Sequence, residues 1–156
     1  MPSTTELKKT KVVLVDDHPL VREQLAGLLQ AEPDLAVCGQ AADVANARSL
    51  ISQEEPDLVL LDVSLKDSNG LELLQEWQAS RPLMRVLVLS MHDEARFAQR
   101  ALAAGARGYI TKEDASVNLM TAIRKVLGGD TYLSARIASR LRKKQNTQAP
   151  SGSAEA

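Results

Sequence analysis

Along the chain, short unbroken aliphatic runs alternate with segments in which apolar residues recur every three or four positions. The runs are Val12–Val15, Leu35–Gly39, Leu58–Leu61, Val86–Leu89 and Gly108–Ile110. Continuous apolarity, as opposed to alternation at every second residue, predicts strands covered on both faces, as in a parallel sheet. Between the runs, Val21, Leu25, Leu28 and Leu29 form one helical stripe, with Pro19 suited to its first turn. Val44, Ala47, Leu50 and Ile51 form a second stripe, and Leu71, Leu74 and Trp77 form a third after an Asn69-Gly70 turn. Phe97, Ala98, Ala101 and Leu102 form a fourth, with Asp93 as its cap. Leu119, Met120, Ile123, Val126 and Leu127 form a fifth that stops at Gly128-Gly129. Five β-α repeats joined by right-handed crossovers predict an α/β fold, a five-stranded parallel sheet doubly wound by helices. Such sheets hold ligands beyond the carboxyl ends of their strands.

A length of 156 residues suits one ordinary domain, and 44% hydrophobic content fills its core mainly with aliphatic side chains, since aromatics are 3%. We expect a tail over 1–10, a folded domain over 11–130, a linker helix over 131–144 and a flexible tail over 145–156. The linker helix carries Ile137 and Leu141 on one side and a basic cluster from Arg136 to Lys144 on the other. The tail is rich in Gln, Ala, Ser, Pro and Gly. The net charge of -1 offers no whole-chain attraction to nucleic acid or membrane. The lone Cys38 excludes an internal disulfide and a cysteine metal cluster, and it reads as a packing residue. The first residues lack an apolar leader core, and no apolar run nears the roughly 18 residues that span a bilayer. The expectation is a soluble cytoplasmic protein with no membrane partner.

The strand ends carry the chemistry. The first run ends in Asp16-Asp17, the third in Asp62, the fourth in Ser90 and the fifth in Thr111-Lys112. In the expected sheet, these carboxylates, a hydroxyl and an amine converge on one rim. Two carboxylates about 4 Å apart repel by roughly 4 kcal/mol at an effective dielectric of 20. Such a cluster either takes up protons or binds a cation, and an oxygen-only ligand set favours magnesium. Any one of these aspartates alone would more simply be a helix cap or turn residue. Their coincidence at successive strand ends favours a site.

The segments VVLVDDHPLVREQL, PDLVLLDVSLKDSNGLELL, VLVLSMHD and GARGYITKEDA resemble the receiver domain of bacterial two-component response regulators. The segment AIRKVLGGDTYLS resembles the NarL/FixJ (LuxR-type) subfamily in particular. The resemblance covers about residues 10 to 135. It implies a flavodoxin-like (βα)5 fold with strand order 2-1-3-4-5. It also implies phosphoryl transfer from a sensor histidine kinase to Asp62, with Mg²⁺ held by Asp17, Asp62, Asp16 and the backbone carbonyl of Ser64. Lys112 is then the positive charge for a phosphoryl oxygen, Ser90 the hydroxyl switch and Tyr109 the aromatic switch that moves inward with it. Without the resemblance, Tyr109 reads as a strand tyrosine with its hydroxyl in solvent. His18 and His92 read as surface residues beside the pocket. The pattern departs at Lys66, where many receivers have proline, which removes a backbone restraint from the loop after Asp62.

The resemblance implies a module that catalyses only its own phosphorylation and dephosphorylation, not a metabolic enzyme. Homodimerisation on phosphorylation is common in the resembling family. Its output is usually a helix-turn-helix DNA-binding domain, for which the residues after Lys144 are too few. The chain is therefore expected to be the receiver fragment of a transcription regulator, touching DNA only through that missing domain. The alternative is a stand-alone regulator acting through protein contacts. A hydrolase with an aspartyl-phosphate intermediate is a remote third reading, since its nucleophile motif is DxD and this chain reads Asp62-Val63-Ser64.

Overall fold

Aliphatic runs with two apolar faces must be covered on both sides, and the two hydrophobic clusters of the core meet that demand residue by residue. The computed structural model describes residues 9–63, 70–91 and 95–142. Its strands are β1 (Thr10–Val15), β2 (Leu35–Ala41), β3 (Leu58–Asp62), β4 (Arg85–Ser90), β5 (Gly108–Thr111) and β6 (Tyr132–Leu133). The helices are α1 (Pro19–Gln30), α2 (Val44–Glu54), α3 (Gly70–Ser80), α4 (Ala95–Ala103) and α5 (Lys112–Leu127). Residues 135–142 form a further helical segment, α6.

Among the described residues all pairings are parallel, in the order β2-β1-β3-β4-β5-β6. The order of the first five strands is as expected. The count of five is corrected to six, because Tyr132–Leu133 pairs with Gly108–Tyr109 along the open edge of β5. The Tyr132 amide donates to the Arg107 carbonyl at 3.1 Å, satisfying a backbone group that an edge strand would leave to water. Two residues are too short to register as an apolar run. The linker helix expected over 131–144 accordingly begins at 135.

Alternate side chains divide between the faces. Val13, Val15, Val59, Leu61, Val86 and Val88 point to α2, α3 and α4, where Ala47, Ile51, Leu74, Trp77 and Ala101 pack on them. Val12, Leu14, Leu58, Leu60, Leu87 and Leu89 point to α1 and α5, meeting Leu25, Leu29, Leu119, Ile123 and Val126. Ends are placed by local chemistry: Pro19 opens α1, Asp43 caps α2 and Gly128 closes α5. The cap expected of Asp93 and the turn residue Asn69 lie outside the described residues, as do Ser64, Lys66 and His92. No helix among the described residues is long and apolar enough to cross a membrane.

Candidate functional site

Strand register brings the first two carboxylates together. Val15 pairs with Leu61 in parallel register, so Asp16 and Asp62, one residue further on, leave the sheet side by side on the same face. Neighbouring strands are about 4.8 Å apart, which sets the scale of their separation. Asp16 is 1% exposed and Asp62 is fully buried. Asp17 is half-buried beside them.

Lys112 opens α5 directly after β5, and its long stem crosses the end of β4 to reach the acids. Its Nζ lies 2.9 Å from Asp62 Oδ2 and 3.0 Å from Asp16 Oδ2. Burial alone would lower the Lys112 ammonium, but the hydrogen bonds to Asp62 and Asp16 and their charge outweigh it and hold the group above its usual value. Thr111, the residue before it, caps α5: its hydroxyl accepts from the Asp114 amide at 3.0 Å. The α5 cap therefore fixes the backbone from which Lys112 departs.

Asp16, Asp17, His18 and Asp62 each offer a ligand atom, and these atoms all lie within 4.8 Å of one another. Asp17 Oδ1 is buried without a hydrogen-bond donor among the described residues, with His18 Nδ1 at 3.1 Å only at ion-pair distance, and Asp16 Oδ2 has the Lys112 ammonium at 3.0 Å as its one neighbouring cation among them. Buried carboxylate oxygens left short of donors suit a hard cation, whose binding relieves their repulsion. The residues present fit a divalent ion.

Ser90 ends β4, buried and paired in register with Thr111, one residue past the pairing of Asp62 with Leu89. Tyr109 is fully buried, its ring centroid 6.2 Å from that of Phe97 at 43°, so its hydroxyl does not sit in solvent. Ser64 lies outside the described residues.

Two contributors were not anticipated. His18 was expected as a helix-start surface residue, and its side chain is 54% exposed, yet its Nδ1 lies 2.9 Å from Asp16 Oδ1 and 3.7 Å from Asp62 Oδ2. Adjacency to the Asp pair was the available signal, but ring direction depends on the cap backbone. Arg22 Nη1 donates to the Asp16 carbonyl at 2.5 Å, tying the strand end to α1. A position six residues on in a helix gives no sequence sign of that contact.

Comparison with known proteins finds relatives over most of the chain. A family model described as the response regulator receiver domain matches residues 12–124. The DNA-binding transcriptional activator DevR/DosR of Mycobacterium tuberculosis is 39% identical over 134 residues, covering 86% of this chain and 62% of that protein. Response regulator GacA of Pseudomonas aeruginosa is 37% identical over 131 residues, covering 84% and 61%. The chain thus spans about three fifths of the length of these relatives. Among solved structures, a LuxR-family two-component response regulator from Aurantimonas sp. SI85-9A1 superposes with a TM-score of 0.83 at 34% identity, covering 88% of this chain and 99% of the other. The receiver domain of a NarL regulator from M. tuberculosis gives 0.73 at 32% identity, covering 79% and 99%.

Proposed function

The chain belongs to the family of response regulator receiver domains, and from that premise we propose that Asp62 accepts a phosphoryl group from a sensor histidine kinase. The observation that carries this reading is the contact of Lys112 Nζ with Asp62 Oδ2 at 2.9 Å inside a buried group of carboxylates. An Asp62 oxygen attacks the phosphorus of a phosphohistidine, the P–N bond breaks and an acyl phosphate forms. Such transfers depend mainly on positioning and charge neutralisation. Asp17 and Asp62, with Asp16 and the backbone carbonyl of Ser64, would hold the divalent cation. Magnesium bound there would neutralise charge on the phosphoryl oxygens. Lys112 donates to one of those oxygens as a point charge. Ser90 donates its hydroxyl to another.

Phosphorylation adds roughly -1.5 to -2 charge and three acceptor oxygens. Ser90 and Lys112 are drawn toward them, and Tyr109, buried against Phe97, repacks the face formed by β5 and α4. The change biases two states rather than creating one. We assign the output to transcription, as the names of the relatives support, through a DNA-binding domain outside this chain. Homodimerisation on phosphorylation, in the cytoplasm, completes the reading.

The test is labelling by acetyl phosphate or phosphoramidate with magnesium. Asp62→Asn abolishes it. If that variant labels as well as the parent chain, the site assignment is wrong.

A further inference from the structure

His18 occupies the N-cap position of α1 in an extended backbone conformation, φ -101 and ψ 106, yet its side chain makes no capping hydrogen bond. The residues usual at that position cap through a side-chain oxygen, which imidazole lacks. The ring instead folds back over the strand ends. Its Nδ1 lies 2.9 Å from Asp16 Oδ1, 3.1 Å from Asp17 Oδ1 and 3.7 Å from Asp62 Oδ2. The backbone amide of His18 also donates to Asp16 Oδ1 at 2.8 Å. Lys112 Nζ stands 3.3 Å from the same ring nitrogen. A single Nδ1 cannot both donate to Asp16 Oδ1 and accept from the ammonium, and the surrounding acids favour donation.

Exposure gives the ring its place. The His18 side chain is 54% exposed, Asp17 17% and Asp62 0%. The imidazole therefore lies on the solvent side of the acids. Magnesium binds oxygen at about 2.0–2.1 Å and retains waters on its open side. An ion at that distance from these carboxylates, with its waters, needs the space now taken by a nitrogen that approaches the same oxygens. Imidazole is a poor ligand for magnesium and a good one for softer ions, so the ring hinders the hard cation more than it helps.

We infer that His18 competes with magnesium for the oxygens of Asp16, Asp17 and Asp62, and that its ring swings out to solvent before the pocket loads. This rests on the cation-dependent phosphoryl acceptance proposed above. His18 is then a positioning residue that sets how readily the pocket takes up its cation, and it moves without any change in the ligand set. That motion breaks the ring's hydrogen bond to Asp16 and leaves α1 in place, since the ring is exposed and Arg22 ties the helix to the strand end.

The experiment is calorimetric titration of the unphosphorylated full chain with magnesium chloride, comparing wild type with His18→Ala and His18→Phe. Both variants are expected to bind magnesium about tenfold more tightly, the equivalent of one hydrogen bond no longer displaced. His18→Phe retains bulk without a donor, so tightening in both variants identifies the lost hydrogen bond to Asp16, and tightening in the alanine variant alone identifies the bulk. Either result supports competition. In wild type, the His18 ring proton resonances, identified by their loss in His18→Ala, shift with the same midpoint as the heat. Unchanged affinity in both variants overturns the inference while leaving the cation site intact. Weaker binding in His18→Ala overturns it too, by making His18 a ligand. No magnesium binding by any of the three chains would overturn the cation reading itself, and the inference with it.

Discussion

Lys112 is a single side chain in contact with two buried carboxylates, Asp62 and Asp16, through one nitrogen. Its own exposure is 12%, so water does little to screen the loss of that contact. Removing one partner from a buried ion pair leaves uncompensated charge and typically costs 3–5 kcal/mol. Lys112→Ala is therefore expected to lower the free energy of unfolding by about 3 kcal/mol in magnesium-free buffer at neutral pH. Much of that loss should return when magnesium is added, because the cation replaces the missing positive charge. Urea unfolding with and without magnesium measures both quantities. A variant as stable as wild type without magnesium would mean that the ammonium is not the counter-charge assigned here. With an acyl-phosphate mimic, the same variant should also lack the conformational response, since no cation remains at position 112 to be drawn in.

At the scale of elements, the junction between β6 and α5 is held by a polar contact inside the fold. The Tyr132 hydroxyl donates to Asp114 Oδ2 at 3.1 Å, and Asn118 donates to Asp114 Oδ1 at 2.6 Å. Burial, then the hydrogen bond to Asp114 and its charge, push the Tyr132 hydroxyl up to about 12 from its ordinary 10.0. Between those two values the unfolded chain has released a proton that the folded chain keeps, so stability falls as pH rises from 10 to 12. Lys112, also held above its usual value, adds to the alkaline loss: its contribution is whole at neutral pH and disappears as pH rises through its raised value. Tyr132→Phe should cost roughly 1–2 kcal/mol at pH 8. It should also flatten part of the decline between pH 10 and 12 and leave the Lys112 part. Chemical unfolding across that range checks both; an unaltered slope would remove the hydrogen bond from the account.

The strands of these elements were legible in the sequence where burial is two-sided, because β1, β3 and β4 are aliphatic on both faces. β6 was not, because a two-residue strand owes its existence to the free edge of β5 and not to its own pattern. The neighbouring positions of Asp16 and Asp62 follow from parallel register and could be read in advance. The reach of Lys112 across β4 and the direction of the His18 ring depend on cap backbone and side-chain torsions, which hydropathy does not encode.

For the molecule as a whole, the sheet separates two hydrophobic clusters, and the segment after α5 enters both. Tyr132 packs with the cluster under α1 and α5, whereas Ile137, fully buried, packs with the cluster under α2, α3 and α4. Leu133 and Leu141 lie against that second cluster, which also holds Tyr109. The segment thus runs around the β5 edge and contributes side chains to each face of the sheet. Gly108, beneath it, has no room for a side chain, since an added Cβ would meet Leu87 Cδ1 at 2.8 Å and the Tyr132 carbonyl at 3.2 Å. This contact is close enough to make β6 part of the core rather than a connection leaving it. Ile137→Ala should then cost about 2–4 kcal/mol, the usual range for truncating a buried aliphatic side chain. A chain ended after Asp130 should lose more, because it forfeits Tyr132 and Ile137 together and exposes the β5 edge. Both changes should shift the urea midpoint while keeping one cooperative transition. If the shortened chain unfolds at the wild-type midpoint, the segment is an appendage, and the folded unit ends near residue 130 as its hydropathy first implied.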